Sequence, residues 1–358
     1  MTTLNTMPSL ETSVATVAPI RTQQAAEAAR RLAKQAAWTP YETIFWLAAV
    51  AIAFVLPSKL LLLNEIAILG LFALSLDLIL GYAGIVSLGH AAFFGLGAYA
   101  AGFLAKHGYA EPVLGLFGAA AAAGLLGFLT SFLVLRGADL ARLMVTLGVA
   151  LMLFELANKF AEITGGADGL QRVVMQPILG LFAFDLAGRT ACFYSLTVLF
   201  LLFLLARRIV QSPFGLALRA IKGNRLRSSA IGIAPNRRLV AINTVAAAYA
   251  GVAGALLAQT TQFVSLDVLD FHRSADVLLV LVIGGAGYLY GGLLGAIAFK
   301  VMQDYLSALT PQYWYFWIGL VLVVLVLVGR DRIAAPYRKL AGVRGGVKAR
   351  AVEQEPAP

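Results

Sequence analysis

VIGGAGYLYGGLLGA, residues 282–296, lies inside an apolar run (276–303) long enough to cross a bilayer once, yet glycines interrupt it, and a break would fall at Gly284, Gly285, Gly287, Gly291 and Gly292. Whether this run crosses, or enters and returns, decides the fold. The flanking charges answer the question. Residues 207–238 carry Arg207, Arg208, Arg219, Lys222, Arg225, Arg227, Arg237 and Arg238 and no carboxylate, so the positive-inside rule predicts a cytoplasmic loop. The 261–276 loop holds Asp267, Asp270 and Asp276 against Arg273. The 159–189 loop balances Lys159, Arg172 and Arg189 with Glu162, Asp168 and Asp185. Both are expected outside. The C-terminal tail has Arg330, Arg332, Arg338, Lys339, Arg344, Lys348 and Arg350 against Asp331, Glu353 and Glu355, which predicts a cytoplasmic end. A single crossing by 276–303 would strand that tail outside. Two half-helices that enter and return, broken at the glycines and buried within the bundle, remove the conflict.

Working outward, the whole chain reads as membrane protein. Of 358 residues, 60% are hydrophobic and 13% charged, with a mean hydropathy of +0.83. Soluble domains run near 25% charged. The net charge of +10 falls in short segments between apolar runs, not on a basic stripe, so lipid and not nucleic acid is the expected partner. Cys192 stands alone, which excludes an intrachain disulfide. Candidate spans are 44–63, 66–80, 84–105, 112–135, 143–158, 190–210, 239–260, 276–303 and 313–329. They predict an all-α integral membrane protein of about 8–10 transmembrane helices, some broken or re-entrant. A cytoplasmic N-terminal tail (1–40), a membrane domain (41–332) and a cytoplasmic C-terminal tail (333–358) follow. The first 37 residues show no signal peptide. Arg21, Arg30, Arg31 and Lys34 place the N-terminus inside, and 20–37 is either a surface helix or a disordered tail.

A second Gly-rich stretch, GYAGIVSLGHAAFFGLGAYAAG (81–102), mixes Gly84 and Gly89 with Ser87 and His90. Paired Gly-interrupted segments in the two halves point to a transport pathway built from repeats, against close packing through small residues. Intramembrane ionisable groups are Asp77, His90, Glu155 and Lys300. Asp77 is read as capping or pairing locally, Glu155 as reaching the external interface beside Asn158 and Lys159, and Lys300 as snorkelling. His90 either faces substrate or is a neutral ring satisfied by a backbone carbonyl. No central carboxylate suits a proton-coupled carrier, which stays the alternative through His90 or Asp77. There is no phosphate loop, zinc cluster or nucleophile elbow, so neither catalysis nor a metal is expected.

Within the cationic loop, FGLALRAIKGNRLRSSAIGI (214–233) predicts two short helices. Pro213 opens the first, Gly223 interrupts it, Asn224 caps a second through Ile231, and Gly232 ends it. Leu218, Ile221, Leu226, Ala230 and Ile231 are expected on one side and the cations on another. Positive-inside bias accounts for the charge alone; capped, amphipathic helices kept in water suit docking into a partner's groove.

This segment resembles the coupling segment of ABC-importer permeases. The chain is similar to branched-chain amino acid-type permeases, the second of the two permeases in such systems. The resemblance rests on 81–102, VTLG (145–148) with TGGADGL (164–170), the coupling segment and 282–296, and covers about 60–330. It implies a type II importer-like fold and a bacterial inner-membrane location. The implied partners are two cytosolic ATPases, a second homologous permease and a periplasmic substrate-binding protein. It implies ATP and Mg on the ATPases and no cofactor on this chain. Force would enter through Arg219, Ala220, Ile221, Asn224, Ala230 and Gly232 of the segment 212–235. The pathway or its breaks would involve Gly84, Ser87, Gly89, His90, Gly284, Gly285, Gly287 and Tyr288. Thr164, Gly165, Gly166, Asp168 and Gly169 would form an external loop that meets the binding protein or gates the entrance. Aliphatic amino acids are the first expectation; urea, short amides and aromatic acids belong to related systems. Tyr288 and Tyr290 stand where small or polar residues are common.

Overall fold

The computed structural model describes residues 40–328 apart from 138, 172 and 186; the expected tails, with their cations, lie outside the described residues except for Pro40. The chain divides into two units, 1–300 and 301–358. In chain order the helices are α1 (Pro40–Val55), α2 (Leu60–Asp77), α3 (Ala91–Lys106), α4 (Pro112–Val134), α5 (Asp139–Lys159) and a single turn α6 (Ala161–Thr164). They continue with α7 (Arg189–Gln211), α8 (Pro213–Gly223), α9 (Arg225–Ala230), α10 (Pro235–Thr261), α11 (Phe271–Gly284), α12 (Leu289–Leu309) and α13 (Trp314–Val328). No strand forms among the described residues; two isolated bridges, Leu170 with Val264 and Ile178 with Phe182, are the extended pairings. The fold is an all-α membrane bundle. Among the described residues, five helical stretches are long and apolar enough to span a bilayer, six if the bent pair α11–α12 is one span.

Proline sets several boundaries. Pro112, Pro213 and Pro235 open α4, α8 and α10 at the position where a missing N–H costs nothing. Pro213 also forces Ser212 into an extended conformation (ψ 167°), which ends α7. The expected span 44–63 is corrected on the same ground. Pro57 holds Leu56 out of the helical region (φ −118°, ψ 69°), so α1 stops at Val55 and a tight turn, Pro57–Lys59, leads into α2. The expected span 84–105 is likewise not one helix: 84–89 has no helical structure and only α3 beyond it is helical.

Two helices form the centre. In the stretch Pro57–Ala83 83% of the apolar window is buried, and in α10 72%, against 17–33% for α4, α5 and α7. The reason is side-chain size. A Cβ on Gly97 of α3 would lie 2.2 Å from the Gly251 carbonyl oxygen, and one on Gly254 1.9 Å from that of Phe94. The backbones of α3 and α10 therefore touch, as small residues allow within a bilayer. Asn243 of α10 is satisfied inside the bundle: its Nδ2 donates to Gly127 O and Ser131 Oγ, both at 2.9 Å. Within the second unit, the Thr310 N–H donates to Leu306 O, and α13 opens with Trp314 packed on Tyr315.

The break in 282–296 is present. α11 and α12 meet at 111° across Gly285–Tyr288, and Gly285 and Gly287 take positive φ (95° and 88°) that other residues rarely adopt. The other Gly-rich stretch breaks differently. After Asp77 the helix widens into a π turn, Leu78–Ala83, and stops at Gly84 (φ 73°).

Candidate coupling and translocation site

The two breaks meet. Asp77 Oδ1 accepts a 2.7 Å hydrogen bond from the Gly287 N–H, so a carboxylate at the base of the first break holds the backbone of the second. Asp77 was expected to cap or pair locally; this bond reaches 210 residues along the chain and corrects that expectation. Contact is close enough to exclude a side chain: a Cβ on Gly81 would stand 2.0 Å from Asp77 Oδ1 and 2.5 Å from Gly287 N. Gly284 and Gly291 approach across the second break in the same way, at 1.8 Å from a built Cβ to the Gly291 oxygen. Tyr288 is exposed at the rim.

The cationic segment seats on this joint. α8 ends in Lys222, whose Nζ donates to Gly81 O at 2.6 Å and caps a carbonyl left over at the end of the π turn. The Lys222 stem lies against Gly84, 2.9 Å from a built Cβ. Arg219 places its guanidinium 5.2 Å from the centre of the Tyr82 ring, within cation–π range. Leu218 and Ile221 are buried toward the bundle while Arg219 and Ala220 face out. Asn224 Oδ1 accepts the Arg227 N–H at 2.8 Å and starts α9; Gly232 ends it with φ 86°. The expected common apolar side is corrected here. Leu226 and Ile231 are 83% and 70% exposed, and Ala230 is exposed with them, because Asn224 turns α9 away from the face that α8 buries.

Deeper in the bundle, the chain from Gly84 to His90 lies against α5 and α10. His90 is fully buried and stacks on Phe72, 5.5 Å between centroids. Its Nε2 lies 2.8 Å from Ser75 Oγ, whose own proton goes to Phe72 O (2.6 Å), so His90 is the donor. The expected carbonyl partner is thus a hydroxyl. Gly89 is pressed on the Thr146 carbonyl, and the Leu88 N–H donates to Thr146 Oγ1 at 3.3 Å. Ser87, Thr130, Thr146 and Asn243 line a cavity of about 10 Å³, room for roughly one water. Of the remaining ionisable groups, Glu155 is exposed on α5 and Lys300 pairs with Glu65 (2.8 Å). Among the described residues no group of His, Cys, Asp or Glu is arranged to hold a metal ion.

At the opposite end from Lys222, TGGADGL folds into a compact turn. Thr164 Oγ1 donates to Ala157 O and Phe160 O (2.5 and 2.9 Å) and accepts the Gly166 N–H (3.2 Å). Gly165 and Gly169 have φ of 82° and 72°, and Asp168 is exposed. Leu170 then pairs with Val264 through two backbone bonds of 2.7 and 3.2 Å, which joins the two loops that charge balance had placed on one side. Asp270 starts α11 by accepting the His272 N–H (3.1 Å); burial works to raise its pKa, but the bonds from His272 hold it below the ordinary value.

Lys222, Gly81, Ser75, Thr146 and Asn243 complete these arrangements; Gly81 and Thr146 lie in motifs quoted from the sequence and Lys222 in the cationic loop, none with a role of its own, and Ser75 and Asn243 were not singled out. Asn243 carried a signal: it is an amide within an apolar span. Lys222 was indistinguishable from the other cations of its loop.

The profile of the family described as "Branched-chain amino acid transport system / permease component" matches residues 58–326. Over 296 residues the chain is 30% identical to the high-affinity branched-chain amino acid transport system permease protein LivM of Escherichia coli K12, covering 75% of this chain and 68% of that one. It is 28% identical, with the same coverage, to the protein of the same name from Salmonella typhimurium LT2. It is 30% identical over 254 residues to the autoinducer 2 import system permease protein LsrC of Enterobacter sp. strain 638, covering 67% of this chain and 70% of that one. No solved structure matches the chain. A multi-pass bundle with two opposed helix breaks and a capped cationic helix pair against them, matched over these lengths, is a member of the branched-chain amino acid ABC-importer permease family.

Proposed function

We propose that the chain is the permease subunit through which branched-chain or related aliphatic amino acids cross the bacterial inner membrane, driven by ATP hydrolysis on separate subunits. The seat of α8 on the first helix break, which Asp77 ties to the second, is the observation that carries this reading. A helix pair that holds a cationic, partly apolar surface toward water, and grips through Lys222 the backbone of the first break, which Asp77 of α2 links to the second, suits transmission of a partner's movement. The exposed Leu226 and Ile231 suit an apolar groove on an ATPase, and Ala220 is exposed on α8 beside them in sequence. The Glu42–Arg207 ion pair supports a start of α1 at the same end as the coupling segment, hence a cytoplasmic N-terminus. The narrow cavity at Ser87 and Thr146 would be a closed constriction on the route, and TGGADGL the face for a binding protein. The substrate class comes from the names of the relatives.

The test is purification of the tagged chain from native membranes, together with uptake measurements. Two ATPases and a second permease are expected to accompany it, and replacing Ile221 and Asn224 together is expected to abolish uptake while the protein stays in the membrane. Uptake by the chain alone, driven by an ion gradient, would overturn the reading.

A further inference from the structure

A cavity of about 630 Å³ opens beside the joint, among the start of α1, the π turn, the end of α7, the inner side of α8 and the 285–288 break. Its walls bring together Arg207, Arg219 and Lys222, with Glu42 as the carboxylate in the lining. Arg207 Nη1 is ion-paired to Glu42 Oε2 at 2.5 Å, so Arg219 and Lys222 set the remaining charge. Asp77, the other acid near Lys222, sits behind the π turn with Oδ1 engaged by Gly287. The Lys222 ammonium uses one proton on Gly81 O and retains two. The Tyr82 ring fixes the Arg219 guanidinium at the rim. Tyr288, 69% exposed, and Tyr290 complete the wall.

The surroundings change within a turn or two. Further along α1 from Glu42, Ile44 and Leu47 are 61% and 65% exposed, and further along α12 from Tyr290, Leu294 is 51% exposed. A basic, tyrosine-rimmed cavity formed by helices whose next turns expose aliphatic side chains offers the two chemistries of a phospholipid, phosphate in the cavity and acyl chain along the helices. Basic pockets between membrane helices on the cytoplasmic side are suited to anionic headgroups, and tyrosine belongs at that depth.

We propose that this cavity binds the phosphate of an anionic phospholipid through Arg219 and Lys222. The location rests on the cytoplasmic orientation proposed above. Bound there, the headgroup would touch the same lysine that holds Gly81, so lipid and coupling helix would share one joint.

The test titrates purified full-length permease, in its complex, with phosphatidylglycerol and counts retained lipid by native mass spectrometry. The count is read on the permease mass itself, so it stays measurable if the expected ATPases are missing, and failure of the transport reading is seen separately. Removing both cations by Arg219→Gln with Lys222→Gln is expected to weaken retention about 30-fold, and Arg219→Gln alone, which leaves the joint intact, about fivefold. Arg237→Gln with Arg238→Gln removes equal charge outside the cavity lining and is expected to leave retention unchanged. Glycerol 1-phosphate distinguishes the sources: displacement of the lipid only by other lipids supports a membrane ligand. Displacement by the soluble phosphate at equal concentration would overturn the lipid assignment. Equal losses in both double variants, or retention in neither protein, would overturn the site.

Discussion

Gly81 is the position where the joint is most sensitive. In Gly81→Ala the added methyl would lie 2.0 Å from Asp77 Oδ1 and 2.5 Å from Gly287 N. Non-bonded carbon contacts settle near 3.5 Å, so at least one partner has to withdraw by about 1 Å or more. If the Asp77 side chain rotates away, its bond to Gly287 is lost; if the 285–288 backbone shifts, the same bond is lost. A hydrogen bond to a charged group contributes about 1.5–3 kcal/mol, and a middle value of about 2 kcal/mol corresponds to about 30-fold in the balance between joined and separated breaks. The assay is uptake of labelled leucine into vesicles carrying the assembled importer, with ATP hydrolysis measured in parallel. Uptake is expected to fall about 30-fold while ATP hydrolysis persists and the protein remains in the membrane. Gly319→Ala is the control, since a Cβ there meets no heavy atom within 4 Å, and it is expected to transport normally. Wild-type uptake in Gly81→Ala would refute the claim that the Asp77–Gly287 joint transmits the movement.

Asp77→Asn keeps an oxygen acceptor for Gly287 and is expected to retain most uptake, whereas Asp77→Leu should lose about tenfold or more; equal behaviour would show that the bond is dispensable. Ser75→Ala leaves the buried His90 Nε2–H without its acceptor, a cost of about 1–3 kcal/mol that a lowered thermal midpoint of the purified permease would report. Gly169→Ala sets a methyl 2.6 Å from the Val264 oxygen at a φ of 72°; loss of stimulation by the binding protein is expected with basal ATP hydrolysis retained, measured in proteoliposomes. Leu226→Gln with Ile231→Gln, both on exposed positions of the α9 segment, should reduce ATPase recovery in pull-downs without altering membrane insertion; undiminished recovery would remove α9 from the docking surface.

Much of the bundle follows from the chain read locally. Hydropathy gives the membrane class, Pro213 and Asn224 fix the ends of α8 and α9, and the glycines of 282–296 with the flanking charges require a break. Each of these signals acts within about a turn of helix, where hydrogen bonds, proline sterics and positive φ are decided. The tertiary structure decided what the breaks touch. Asp77 finds Gly287 across 210 residues, and Lys222 finds Gly81 across 141. Neither pairing leaves a local trace, because a carboxylate near the end of a span and one lysine among eight cations look the same whichever backbone group they reach. Leu226 shows the opposite failure. Its apolar character suggested a face shared with Leu218, but only the turn at Asn224 determines which way α9 faces. Bringing the π turn, the end of α8 and the 285–288 break into one corner turns two Gly-rich segments and a cationic loop into a single connected device.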